Sequence, residues 1–150
     1  RNAGNIVPRA DSSGGGEAGT VEFAVRSLQV RHIVVCGHTC CAAVAGLLEP
    51  KRVRELPALG EWLRHAGTRV DDLRGTAARS KQPPVAALER HVLAQLDNLC
   101  THPAVREGLD AGKLELHGWV FHIERGQITV FSEEDGKFQG AEAVYGASVI

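Results

Sequence analysis

The stretch that decides the fold is HIVVCGHTCCAA, residues 32–43. It opens on a β-branched run, His32-Ile33-Val34-Val35-Cys36, and breaks at Gly37. A short continuous apolar run of this kind predicts a strand buried on both faces, as in a parallel sheet, with Cys36 inside it. Beyond Gly37 a helical pattern covers Thr39 to Leu48 and stops at Pro50. Upstream, Val21, Ala24, Val25 and Leu28 recur at spacings of three and four, which predicts a helix beginning at Glu17. Helix, strand and helix in that order are the rhythm of an α/β fold.

Working outward, residues 1–16 are polar and end in Gly14, Gly15 and Gly16, so they read as a loop. Leu56 to Ala66 is helical, with Leu59, Trp62 and Leu63 on one side, while Val70 to Ser80 is a weaker, charged helical piece. Pro83-Pro84 opens the longest helix, whose apolar stripe is Val85, Leu88, Val92, Leu96 and Leu99. A short helix follows from Pro103, a good first-turn residue, and ends before Gly112. Leu114 to Ile123 is strand-like, and after a turn at Arg125-Gly126 the chain returns over Gln127 to Phe131, a hairpin pattern. The small apolar residues Ala141–Ile150 are expected to be disordered or docked on a partner subunit. With no internal repeat and no linker, residues 1–150 read as a single domain.

The 150 residues are 43% hydrophobic and 23% charged, with a net charge of −1. That balance offers no basic surface for nucleic acid or an anionic membrane. No run of 18 apolar residues spans a bilayer. The chain starts at Arg1, contains no Met and has no signal peptide pattern, so it reads as a piece of a longer, cytoplasmic protein. Of the four cysteines, Cys36, Cys40 and Cys41 lie within six residues, and the fourth is Cys100. Clustered beside a histidine in an intracellular chain, they point to metal or thiol chemistry rather than a disulfide framework. Cys36 and Cys100 read as packing residues and His117 as a hydrogen-bonded core histidine. His32, His65, His102 and His122 read as surface or boundary residues. Trp62 and Trp119 read as core or interface anchors, and His91 has no sequence-level account.

Chemistry concentrates where the strand gives way to the helix. His38 and Cys41 are three apart, so a helical turn brings them to one side. An imidazole and a thiolate held there are half of a tetrahedral zinc site, and the helix N-terminus favours the thiolate. Small Ala42 and Ala43 leave room for a metal and a substrate. The spacing is equally compatible with a buried pair of cysteines and a histidine capped by backbone.

Several segments in one order extend this reading. They are RNAGN (1–5), GTVEFAVRSLQV (19–30), HIVVCGH (32–38) with Cys41, LPALGEWL (56–63), HVLAQLDNLCTHPAV (91–105) and GKLELHGWVFHIERGQITVF (112–131). Together they resemble the β-class carbonic anhydrases over nearly all of residues 1–138. The resemblance implies an α/β fold: a mostly parallel β-sheet flanked by helices, with a late antiparallel hairpin strand. It implies one Zn2+ per subunit, with His38 and Cys41 as two of three protein ligands. The third belongs to a Cys-x-Asp-x-Arg motif whose Asp and Arg form an active-site dyad; this motif does not occur in the chain, so no catalytic residue is assigned. Asn2, Gly4 and Ala42 become candidates for the substrate pocket, with Arg1 and Asn5 beside them. Ala42 stands where the family usually has Gly, and would be strained if that position needed a positive φ. The implied activity is reversible hydration of carbon dioxide to bicarbonate, in a homodimer or larger homo-oligomer, with the isolated chain inactive or impaired. The alternatives are a non-catalytic zinc-binding or interaction homologue, and a metal-free thiol-redox protein using Cys40 and Cys41.

Overall fold

The computed structural model describes residues 1–12, 15–67 and 82–146. In chain order its elements are α1 (Gly16–Arg26), β1 (His32–His38), α2 (Ala42–Leu48), α3 (Pro57–Leu63), α4 (Val85–Leu99), α5 (Pro103–Asp110), β2 (Glu115–His122), β3 (Gln127–Ser132), β4 (Lys137–Gly140) and α6 (Ala141–Tyr145). The expected charged piece at Val70–Ser80 lies outside the described residues.

The four strands form one sheet in the order β1-β2-β3-β4. β1 and β2 are parallel, with His32 opposite Glu115 and His38 opposite Phe121. β3 and β4 continue antiparallel through hairpins whose turns contain Gly126 (φ 62°) and Gly136 (φ 63°). Among the described residues, parallel pairing is thus confined to β1–β2, and β1 has an unpaired outer edge.

One face of the sheet carries the core. Val35 and Gly37 of β1 and Gly118 and Val120 of β2 turn toward α4, whose Val92 and Leu99 are fully buried. Burying each such side chain stabilises the fold by about 1.5–3 kcal/mol. The two strand glycines let α4 approach: a Cβ on Gly37 would meet Val92 Cγ2 at 2.9 Å, and one on Gly118 would meet Leu96 and Val92 methyls at 3.1 Å. α1 and α5 close the same cluster through Val21, Val25 and Val105, and Arg26 clasps Glu107 with two 3.0 Å bonds. A second cluster joins α2, α3, the start of α4 and the N-terminal loop through Val44, Leu47, Leu63, Leu88 and Ile6.

The opposite face is open, contrary to the expectation of strands buried on both sides. Val34 is 40% exposed and Phe121 37%, and Cys36 is exposed rather than packed inside. The apolar run of β1 alternates in burial, because the helices lie on one side of it. Cys100, expected to pack, is also exposed, as the residue following α4. The end of the chain is expected to be disordered or docked on a partner subunit; Ala141–Tyr145 is ordered as α6, which packs against β3 and β4 of its own chain, where Tyr145 reaches Trp119 and His117. Residues 147–150 lie outside the described part. Among the described residues no helix is long and apolar enough to cross a membrane.

Residues 1–12 are held largely by polar side chains of α4 and of the turn that follows it. His91, Gln95, Asn98 and His102 recur at four, three and four, a polar stripe facing the loop. His91 Nε2–H donates to Gly4 O at 2.7 Å. Gln95 Oε1 accepts Val7 N–H at 3.0 Å, and Asn98 Nδ2 donates to Val7 O at 2.9 Å. His102 Nε2–H donates to Pro8 O at 2.9 Å, so His102 is buried and not the surface residue expected. Gln95 and Asn98 also donate to Ala66 O, at 3.0 and 3.1 Å, which ties the end of α3's continuation to the same stripe. Buried backbone groups must find partners, and for the loop α4 supplies three of them and His102, the residue before α5, the fourth.

Candidate metal centre

His38 is the last residue of β1, and Cys41 is the N-cap of α2. The helix starts three residues later than the sequence pattern suggested, because Thr39 and Cys40 are held in a turn. Thr39 N–H donates to Phe121 O at 2.9 Å, and its hydroxyl donates to Glu124 Oε2 at 2.7 Å while accepting Ile123 N–H at 3.0 Å. The Cys40 thiol donates to Glu124 Oε1 at 2.9 Å. These bonds, from Cys40 first and Thr39 second, hold the Glu124 carboxyl down at about 2. In return the carboxylate pushes the Cys40 thiol above its ordinary range. Glu124 thus fastens the turn after β1 to the turn after β2. Sequence reasoning missed it, since it sits 85 residues beyond Thr39 with no periodic signal.

His38 is exposed, and its Nδ1–H donates to Thr39 O at 2.8 Å. That bond selects the tautomer whose Nε2 carries a lone pair, the state a metal requires. Cys41 is 3% exposed and belongs to the cluster around α2. Cys40 is instead turned to Glu124, with a left-handed φ of 60°. The positive φ of this turn therefore falls on Cys40 rather than Ala42, which is the first helical residue of α2 and is exposed.

The N-terminal candidates divide. Gly4 (φ 80°) is buried against α2, where a Cβ would sit 3.2 Å from that of Ala43. Asn5 (φ 44°) lies beside Gly37, and its Nδ2 is buried without a partner among the described residues. Asn2 is spent on the loop itself: it donates to Ile6 O and accepts Ile6 N–H, both at 2.9 Å. Trp62 donates its indole N–H to Ala3 O at 2.8 Å and so pins the same loop.

The donor types of the turn fit zinc: an imidazole whose Nε2 is left free and, three residues on, a soft thiol. The set is incomplete: among the described residues, no third His, Cys, Asp or Glu gathers with His38 and Cys41. The three-donor group that the described residues do form is His32, Glu115 and His117, at the other end of the same two strands. Neither His32 nor His117 was expected to matter, and His117 lies on the open face instead of in the core.

Comparison with known proteins places this architecture. The profile of the family described as "Carbonic anhydrase" matches residues 1–128. Carbonic anhydrase 1 of Escherichia coli O157:H7 is 40% identical over 139 residues, covering 92% of this chain and 64% of that protein. Carbonic anhydrase of Pseudomonas aeruginosa is 42% identical, again covering 92% of this chain, and 63% of its own length. The chain thus spans a little under two thirds of these relatives. Among solved structures, the β-carbonic anhydrase CcaA superposes with a TM-score of 0.85 at 34% identity, covering 93% of this chain and 69% of that one. A structure described among two tetrameric β-carbonic anhydrases of Sordaria macrospora gives 0.72 at 29% identity, covering 93% and 68%. With the mixed sheet, the strand-to-helix turn and these matches together, the chain belongs to the β-carbonic anhydrase family.

Proposed function

We propose that the protein carrying this sequence reversibly hydrates carbon dioxide to bicarbonate at a Zn2+ centre to which this chain contributes His38 and Cys41. One observation carries the reading. His38 gives its Nδ1–H to Thr39 O, so Nε2 keeps its lone pair, three residues ahead of Cys41 in a member of this family. Zinc, when bound, supplies a Lewis acid that brings the pKa of water down to about 7.

This chain's own residues orient and enclose. Thr39 O fixes the His38 ring, and Glu124 fixes Thr39 in turn. Cys41 offers its sulfur from a buried position, so little water has to be stripped from it on binding. Gly4 and Ala42 contribute to the rim of the substrate pocket, and Asn2 keeps the rim loop closed.

Two donors leave a four-coordinate ion at least two short. The resemblance assigns another to the Cys-x-Asp-x-Arg motif, which is not among these 150 residues. Each missing ligand costs several kcal/mol of a binding energy of order 10 kcal/mol, so these residues alone hold zinc weakly. The thiol-redox alternative, which uses Cys40 and Cys41, is disfavoured at Cys40, whose thiol is bound to the Glu124 carboxylate and pushed up by it. The reading includes a homodimer or larger assembly, supported by the tetrameric relatives and by the exposed Val34 and Phe121 on the open sheet face. A monomeric mass by light scattering of the intact protein rejects the assembly. Zinc content tests the centre: His38→Ala and Cys41→Ser each lose most of the metal in the intact protein, and Cys36→Ser keeps it. Full zinc in Cys41→Ser overturns the ligand assignment.

A further inference from the structure

The open face of the sheet holds a second constellation, at the N-terminal ends of β1 and β2. The parallel register sets His32 opposite Glu115, and His117, two residues on, shares the face of Glu115. Three donor atoms converge there. His32 Nδ1 lies 3.1 Å from His117 Nε2 and 3.7 Å from Glu115 Oε2, and His117 Nε2 lies 3.9 Å from the same oxygen. Bonds of 2.0–2.1 Å at tetrahedral angles separate neighbouring donors by about 3.3–3.4 Å. The three observed separations bracket that value, and shifts of a few tenths of an ångström would equalise them.

A simple ion pair between His32 and Glu115 does not need the second imidazole. Here His117 turns Nε2 toward the pair, and its opposite nitrogen has a partner of its own. His117 Nδ1 and Tyr145 Oη are 3.2 Å apart, and Tyr145 Oη also accepts the indole N–H of Trp119 at 3.1 Å. An Nδ1–H donated to Tyr145 leaves the Nε2 lone pair aimed at the shared point. Outer partners of this kind orient ligating histidines in metal sites.

We propose that His32, Glu115 and His117 form a second metal site, taking Zn2+ or a similar divalent transition ion, separate from the His38–Cys41 turn. Two neutral imidazoles and one carboxylate suit such ions and not Mg2+ or Ca2+, which prefer oxygen alone. His32 and Glu115 are exposed, so the fourth position stays open to water. Six residue steps along β1 take the chain from His32 to His38, a span of about 20 Å. The site ties the starts of β1 and β2 to each other and, through Tyr145, to α6. It does not depend on the function proposed above.

The test uses the full chain carrying His38→Ala and Cys41→Ser, which silences the first centre, and Co2+ as the probe. The expected result is one Co2+ per chain with visible ligand-field bands and no thiolate-to-cobalt charge-transfer band. Adding His32→Gln and His117→Gln abolishes the binding, and Tyr145→Phe weakens it by about tenfold or more. In the unmodified chain, added Zn2+ shifts the ring resonances of His32 and His117 in NMR spectra, a measurement that needs no variant. Absence of those shifts, with no Co2+ bound once Cys41 is gone, overturns the proposal. So does undiminished binding in a folded His32→Gln/His117→Gln chain. A thiolate band in the unmodified chain that Cys41→Ser removes reports on the first centre, so failure of one centre is distinguishable from failure of the other.

Discussion

Replacing His91 by Phe removes its hydrogen bond to Gly4 O while keeping most of the buried volume. His91 is 1% exposed, and its Nε2–H is the donor that Gly4 O receives at 2.7 Å. Losing that donor forfeits a net bond of about 0.5–1.5 kcal/mol and leaves a buried carbonyl unpaired, for a total near 1–3 kcal/mol. His91→Ala adds a cavity and lost packing, and the sum reaches about 3–5 kcal/mol. Against a domain stability of about 5–15 kcal/mol, either change is large. Burial also pushes the His91 imidazole below its ordinary value of 6.5, with the Gly4 bond opposing in part. The unfolded chain therefore takes up its proton first. Stability from this group is complete above about 6.5 and falls as pH drops below it, and Phe abolishes that component. Urea unfolding at pH 8 and pH 5.5 measures both effects, read as a change in midpoint at constant slope. Hydrogen exchange at Ile6 and Val7 then reports whether the N-terminal loop loosens first. A His91→Phe chain as stable as the parent at pH 8, with an unchanged pH dependence, would refute the polar stripe as the clamp on that loop.

Two further outcomes follow from the same contacts. Gly37→Ala drives a Cβ to 2.9 Å from Val92 Cγ2, an overpacking cost of about 1–3 kcal/mol. Val92→Ala in the same chain recovers much of that loss, and a double-mutant cycle on unfolding midpoints with no coupling contradicts the close packing of β1 on α4. Glu124→Ala removes the acceptor and the negative charge beside the Cys40 thiol. Metal-free protein should then be alkylated several-fold faster at pH 8, with the label mapping to Cys40, and an unchanged rate would mean that the thiol is not held by Glu124.

The sequence made the local elements legible and left the distant contacts obscure. The break at Gly37 and the stripe Val85–Leu99 located β1 and α4, because periodicity reports which face is buried. What the run HIVVC could not tell is how many layers cover it, so Val34 and Cys36 were expected inside and lie on an open face. β4 escaped notice, since four residues, Lys137–Gly140, are too few to display alternation. The polar stripe of α4 is hidden because apolar recurrence dominates the pattern, while His91, Gln95 and Asn98 follow the same helical spacing with backbone as their target, and His102 joins them from the turn before α5. At the candidate centre, His38 and Cys41 were readable as a local pair. Glu124 and the His32–Glu115–His117 group were not, because each depends on the register of two strands more than 80 residues apart.

The most direct test of the central claim is a stopped-flow measurement of carbon dioxide hydration by the zinc-loaded intact protein carrying this sequence. The wild type, His38→Ala and Cys36→Ser are compared at equal concentration. The account predicts hydration well above buffer in the wild type and in Cys36→Ser, and loss of nearly all of it in His38→Ala together with the zinc. A folded His38→Ala protein that keeps its zinc and hydrates carbon dioxide at the wild-type rate would contradict the account.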